Sequence, residues 1–340
     1  MIKDAIAALV EGESLSEHEA EMAMNEIMAG EATPAQFAAF ATALRLKGET
    51  VDEIVGLARA MREGARAVRV DGPVIDTCGT GGDGASTFNI STVAAFVVAA
   101  CGLRVAKHGN RAITSNCGSA DLLEALGVRI DLPPEGVERC IESTGIGFMF
   151  APLYHPAMRH VGPVRRELGI RTVFNLLGPL ANPARASYQV VGVADRMLVK
   201  KMALVLRRLG CQRGFVVYGH DGLDEMTICG ATTMCATGPA SDAECTTLSP
   251  AEVGLTAAEP GALAGGSVER NVELALAVLR GERGPRRDAV LLNAAAALLA
   301  GGVVRTLVEG IELAAEGIDS GKALDRLDQL RKVSNECAAA

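Results

Sequence analysis

Val74-Ile75-Asp76-Thr77-Cys78-Gly79-Thr80-Gly81-Gly82-Asp83-Gly84 is a short apolar run that breaks into glycine at 79, 81, 82 and 84. The apolar half reads as a buried strand, and the glycines as the tight turn that ends it. Residues 91–101 then form an apolar stretch of helical length, and Leu103-Arg104-Val105-Ala106 is a second strand. Strand, helix and strand in this order make a βαβ unit, which predicts a parallel sheet with helices on its faces. Further strands are expected at 145–150, 187–193 and 214–218. Helices are expected at 196–209 and across 287–316, with Gly317 as the stop.

Upstream of Val68 no strand-like alternation occurs. Ser16 with Glu19 and Thr50 with Glu53 have the spacing of capping boxes, and Thr33-Pro34 supplies an N-cap and a proline at the first helical position. Gly30 and Gly48 close two of the periodic runs. The fold class is therefore α/β. A small N-terminal all-helical domain (1–70) precedes a larger domain (71–340) with a mainly parallel central sheet.

The 340 residues are 49% hydrophobic, enough to bury a sizeable core. The net charge of -8 opposes nucleic acid, since neutralising phosphates supplies most non-specific affinity. It leaves room for a local basic pocket around a small anion. The nine cysteines (78, 101, 117, 140, 211, 229, 235, 245 and 337) form no C-x-x-C pair, so reduced thiols are expected, with neither a zinc site nor a disulfide framework. The opening MIKDAIAALVEGESLSEHEAE carries acids through its apolar stripe, unlike a secretory leader. The most apolar stretch, 93–101, is too short to span a bilayer. A cytoplasmic protein without membrane or nucleic-acid partners is expected.

Taken alone, Gly79-Thr80-Gly81-Gly82-Asp83-Gly84 satisfies the dinucleotide pattern G-x-G-x-x-G. That reading wants an acid about 20 positions on, for a ribose hydroxyl. Here the second strand runs into Lys107-His108, and the helix starts late, near Asn89 to Ser91. A different anion fits better. Loop amides and a helix N-terminus form a cradle for phosphate, and the hydroxyls of Thr87, Ser91 and Thr92 can bond its oxygens. Ser91 can equally cap the helix or ligate a hard cation that a diphosphate brings along.

The runs Gly79-Thr80-Gly81-Gly82-Asp83, Asn89-Ile90-Ser91-Thr92 and Lys107-His108-Gly109-Asn110-Arg111 resemble signatures of the anthranilate phosphoribosyltransferase family. So do Gly118-Ser119-Ala120-Asp121 with Leu123-Glu124-Ala125-Leu126-Gly127, Phe174-Asn175-Leu176-Leu177-Gly178-Pro179-Leu180, and His220-Asp221-Gly222-Leu223-Asp224-Glu225. The likeness runs in order along essentially the whole chain. It implies a nucleoside phosphorylase/phosphoribosyltransferase-like fold in which residues of about 160–185 join the helical domain, and a homodimer. It also implies a magnesium-dependent pentosyltransferase of L-tryptophan biosynthesis. The phosphoribosyl group of phosphoribosyl pyrophosphate would pass to the amine of anthranilate, giving N-(5-phosphoribosyl)anthranilate and pyrophosphate.

By the same resemblance, the donor is held by Gly79, Gly82, Asp83, Thr87, Asn89, Ile90, Ser91, Thr92, Lys107, His108, Gly109, Asn110, Arg111, Ala112, Ile113, Thr114, Ser115 and Ser119. Anthranilate falls to Gly79, Asn110 and Arg165, and His155 lies in the stretch 151–156 that lines an access tunnel. Asp224 and Glu225 are adjacent hard oxygen ligands of the sort magnesium prefers. The resemblance implies two ions per subunit, one on Ser91 with Glu225 and one on Asp224 with Glu225. A planar guanidinium suits a benzoate-like carboxylate. Pairing of Arg165 with Glu167 or Glu138 is the alternative use of that side chain. No base is assigned, although His108 can relay a proton.

The chain departs from the family's usual Lys-Ser-Gly-Ser by reading Asn116-Cys117-Gly118-Ser119, which exchanges a cation for a thiol. Met158 stands where relatives can carry an aromatic residue. Two rivals remain at this level. A nucleoside phosphorylase of the same fold would not need the Asp224-Glu225 pair. A non-catalytic nucleic-acid-binding paralogue would need a basic surface.

Overall fold

The computed structural model describes residues 1–112 and 116–339. The expected donor contacts Ile113, Thr114 and Ser115 lie outside the described residues. The chain begins with four helices, Ile2–Val10, Glu17–Met28, Pro34–Lys47 and Val51–Glu63. Both expected capping boxes form, and Thr33 makes a third with Gln36. The box at Thr50 does more than close a helix end. Glu53 is fully buried, accepts from Leu15 N at 2.9 Å and Thr50 N at 2.7 Å, and is neutralised by Lys47 Nζ at 3.0 Å. A buried carboxylate is tolerable here because its oxygens are paired and hydrogen-bonded.

Seven strands follow in one sheet: β1 (Ile75–Gly79), β2 (Val105–Gly109), β3 (Ile146–Phe150), β4 (Tyr188–Gly192), β5 (Arg213–Gly219), β6 (Thr232–Thr237) and β7 (Cys245–Leu248). Their order is β3-β2-β1-β4-β5-β6-β7. The first five pair in parallel and the last two are antiparallel. Strand order reverses between β1 and β4. In open α/β sheets that switch point, outside the carboxyl ends of the strands, is where a ligand cleft opens.

Successive strand residues point to opposite faces, so Val190 and Val217 join one core while Val191 and Val216 join the other. The first core packs under the helices Ile90–Ala100, Pro285–Gly301, Leu307–Asp319 and Lys322–Ala339. The second takes in Leu198–Arg208 and runs on into the four N-terminal helices. Val161, Val164, Phe174, Leu177 and Leu180 belong to this second core, and the rings of Phe37 and Phe174 meet edge-on at 4.9 Å. The segment after β3 thus returns to pack on the N-terminal helices.

Three expectations need correction. The helical stretch 287–316 is two helices. Gly302, with φ of 73°, ends the first, and Thr306 caps the second. Gly317 does not stop the latter, which continues to Asp319 with Gly317 turned toward Cys101. The thiols are not all unpaired either. The antiparallel register sets Cys235 opposite Cys245, and the two form a disulfide; the other seven cysteines are free. A search for closely spaced cysteines misses partners that meet only across a hairpin.

Gly56 is a packing constraint of the helical part. A Cβ there would strike the backbone oxygen of Glu17, because the helices Glu17–Met28 and Val51–Glu63 touch backbone to backbone. Gly56→Ala should therefore destabilise the protein by about 1–3 kcal/mol despite the gain in helix propensity. Urea denaturation measures it, and a neutral or stabilising result would remove this contact from the account.

Candidate active site

The site is built on strand ends that carry no side chain. Gly79 closes β1 and Gly192 closes β4, side by side in the ladder. A Cβ on either would collide with Asp224, with its carboxylate at Gly79 and with its backbone at Gly192. The loop between β5 and β6 can therefore lie across the switch point. It is fixed from behind by Asn293, whose side chain accepts from Met226 N at 3.0 Å and donates to Met226 O at 2.8 Å. From in front, Gly81 N donates to Asp224 Oδ2 at 2.6 Å. The next carboxylate, Glu225, accepts from Ser91 N at 3.1 Å. Asn89 stands at the N-cap position without a side-chain cap bond, and Ser91 lies inside the helix, so the Ser91 hydroxyl is not spent as the cap.

Asp224 is only 9% exposed and faces Asp83, while Glu225 faces Asp224. Burial first, and the neighbouring Asp83 second, push Asp224 up to about 7. Burial first, and Asp224 second, push Glu225 up to about 8. Removing carboxylates from water among like charges is unfavourable unless a cation compensates. Two such oxygens beside the Ser91 hydroxyl are a hard donor set that suits magnesium, which takes few protein ligands and completes its shell with water and substrate oxygens.

At the end of β2 the structure places the cations differently from the expectation of direct phosphate contacts. Lys107 is only 3% exposed, and its Nζ donates to Thr77 O at 2.5 Å. It lies beneath β1 beside the buried Asp76, which also accepts from Asn182 Nδ2 at 2.7 Å and His108 N at 3.3 Å. Arg111 is engaged by Asp121 at 2.9 Å and by Glu124 at 2.8 Å. Asp121 also accepts from Ala112 N and Gly118 N at 2.9 Å each, so the loop after β2 wraps one carboxylate. Ser119 Oγ and Ala120 N both reach Asn110 O. A Cβ on Gly109 would collide with Ser119, which brings that strand end against the loop.

Of the other expected donor contacts, Gly82 and Asp83 lie in the glycine turn, and Thr87 bridges to Ala264. Ile90 and Thr92 are buried in the helix start, so Thr92 is more anchored than presented. Asn89 Nδ2 donates to Cys117 O at 2.9 Å, which ties the helix start to the loop carrying the departure from the family pattern.

Arg165 is partly buried, with its guanidinium 5.9 Å from the centre of the Phe174 ring. No ion pair reaches it among the described residues, and Glu138 is used instead by Arg69 N at 2.7 Å. The arginine is held against an aromatic face with its donors free. The rings of His108 and His155 meet edge-on at 5.1 Å. Burial, and then His155, pull His108 down to about 3, and burial pulls His155 down to about 4. Both are neutral at pH 7. His108 Nδ1 lies 3.2 Å from Gly178 O, which can only accept, so the proton sits on Nδ1 and the buried Nε2 is a free acceptor.

Asp76, Asn182, Asn293 and Asp121 are the residues that reading the sequence left without a role. Asp76 and Asp121 stand inside the quoted stretches, three residues from Gly79 and Gly118 respectively, and that closeness of an acid to a glycine turn is the visible signal. Asn182 and Asn293 have no local signal, since their partners are 106 and 67 residues away.

The comparisons with known proteins agree with this geometry. Residues 71–324 match the family described as glycosyl transferase family, a/b domain, and residues 3–65 match its helical bundle domain. The anthranilate phosphoribosyltransferase of Chloroflexus aggregans is 58% identical over 334 residues, 98% of each chain. The crystal structure of the Thermus thermophilus enzyme superposes with a TM-score of 0.93 at 49% identity, covering 98% of this chain and 99% of that one. The Saccharomyces cerevisiae enzyme in complex with phosphoribosyl pyrophosphate and magnesium gives 0.91 at 30% identity over 98% of both chains. By full-length identity and by fold, this chain belongs to the anthranilate phosphoribosyltransferase family.

Proposed function

We propose that this protein transfers the phosphoribosyl group of phosphoribosyl pyrophosphate to the amine of anthranilate, releasing pyrophosphate, as a step of tryptophan biosynthesis. The observation that carries the reading is the pair Asp224 and Glu225, the first buried against Gly79 and Gly192 and the second half-buried beside it, both set against like charge. A nucleoside phosphorylase has no use for such a pair.

The residues divide the work. Thr80 N and Gly81 N are taken by Gly192 O and Asp224, and Ser91 N by Glu225, so the amides of Gly82 and Asp83 are the ones the turn offers to the diphosphate beside the positive end of the helix Ile90–Ala100. Asp224, Glu225 and Ser91 hold magnesium, which compensates the charge of the departing pyrophosphate. We place two ions per subunit there, one on Ser91 with Glu225 and one on Asp224 with Glu225. Arg165 takes the anthranilate carboxylate, with Asn110 and Gly79 beside the ring. The amine nitrogen then attacks ribose C1 as the C1–oxygen bond to pyrophosphate breaks, and the nitrogen gives up one proton. An aryl amine is already neutral at pH 7, so orientation and electrostatics carry most of the acceleration. The free Nε2 of His108 is an acceptor suited to orienting the amine by a hydrogen bond, while burial makes it a weak base for the released proton, which can pass to water.

Residues 1–70 with about 160–185 form one domain in this proposal, supported by their shared core. A homodimer through that domain is supported by the apolar side chains it leaves in solvent, Leu46 at 82% and Val10 at 68% exposure. A cytoplasmic setting fits a pathway enzyme, and among the described residues no helix is long and apolar enough to cross a membrane.

Asp224→Asn with Glu225→Gln should leave less than about 1% of turnover, because an interaction made chiefly in the transition state disappears. Both acids titrate higher in the folded than in the unfolded chain. Their ionisation therefore costs metal-free stability progressively as pH rises from the ordinary carboxylate range to about 8. The same double variant should raise the metal-free Tm at pH 8 by at least about 2 °C. A lower Tm or substantial activity would contradict the assignment. Magnesium must displace the same protons, so its affinity should weaken at least about threefold between pH 8 and pH 6 by calorimetry. A pH-independent affinity would place the ion elsewhere. Arg165→Ala should raise KM for anthranilate about 10–100-fold, the scale of a charge-assisted pair, with little change for the sugar diphosphate. Equal effects on both substrates would move Arg165 out of the acceptor site.

A further inference from the structure

Gly81 and Gly82 both have positive φ, 68° and 76°, and the turn they form has no side chain to pack. Among the described residues, the main chain of Gly81–Asp83 is held by two hydrogen bonds. Asp224 takes the Gly81 N–H, and Arg171 Nη1 donates to the Gly81 oxygen at 2.6 Å. The Arg171 guanidinium lies so close over Gly82 that a Cβ there would overlap it. One residue of the turn is thus clamped on opposite sides by a carboxylate and a cation.

Arg171 belongs to a different part of the molecule from the turn. It follows the helix Gly162–Leu168, which carries Arg165, and it precedes Phe174, the ring against which Arg165 rests and which packs on Phe37 of the N-terminal helices. Arg171 and Gly82 line the same cavity of about 180 Å³ together with Arg45, Glu49, Asn175 and Asp195. This cavity separates the N-terminal helices from the strand ends.

We propose that Arg171 is a positioning residue for the donor site: it fixes the glycine turn so that its amides face the diphosphate, and it ties that turn to the segment that sets Arg165. Resting on the function proposed above, the inference adds a residue that touches neither substrate. Without the clamp, the turn must be ordered at the expense of donor binding, and the acceptor arginine, held by Phe174, keeps its place.

The test uses the full chain with Arg171→Ala and Arg171→Lys. The alanine variant should raise KM for phosphoribosyl pyrophosphate at least about tenfold, with kcat within about threefold and KM for anthranilate within about twofold. The lysine variant, whose ammonium can still reach one carbonyl, should recover donor KM to within about threefold of wild type. An equal rise in both KM values, an unchanged donor KM, or a fall in kcat alone would overturn the proposal. A second readout does not depend on the reaction. In metal-free protein, amide exchange in peptides covering 79–88 should be several-fold faster in Arg171→Ala and near wild type in Arg171→Lys. Unchanged exchange would sink the clamp even if turnover fell. An inactive wild-type chain whose alanine variant still showed the faster exchange would instead sink the assigned reaction and leave the clamp standing.

Discussion

The close approach of the Asp224 loop to the glycine ends of β1 and β4 is the constraint on which the site depends. Two carboxylates can be held at the switch point only because Gly79 and Gly192 offer no Cβ, and because Asn293 anchors the same loop from the helix behind. The parallel sheet supplies the cleft, and the glycines supply the depth. The crowded acids form a hard donor set whose mutual repulsion a divalent cation would relieve.

The acceptor side is built by a different device. The segment after β3 leaves the sheet, packs on the N-terminal helices through Val161, Val164 and Phe174, and presents Arg165 against an aromatic ring. Donor and acceptor groups therefore sit on different parts of the molecule, and several polar ties join those parts, among them Asn182 to Asp76, Lys201 to Glu49 and Arg208 to Asp52. The bonds from Arg171 to Gly81 and from His108 to Gly178 are two more. Motions between the two parts are the natural way for such a site to admit two substrates and exclude water.

Much of this was legible in the sequence, for physical reasons. Glycines that end a strand, and a capping box that opens a helix, are local signals, and β1 to β5 and the N-terminal helices were read from them. The Asp-Glu pair was visible as chemistry, but its burial was not, since that follows from contacts with Gly79 and Gly192 far along the chain. Lys107 was visible as a cation near a strand end, but its bond to the Thr77 carbonyl and its place beside Asp76 were not, because both partners lie about thirty residues away. The antiparallel strands β6 and β7 were missed because their threonine-rich segments lack clear alternation. The Cys235–Cys245 bond could not be seen until the hairpin register was known.

The most direct measurement is a crystal of the full-length protein soaked with phosphoribosyl pyrophosphate and manganese in place of magnesium, with anomalous scattering locating the ions. The account predicts manganese peaks at the carboxylates of Asp224 and Glu225, with the diphosphate under the amides of Gly82 and Asp83. Manganese and diphosphate bound together at another place, with both carboxylates free, would contradict it.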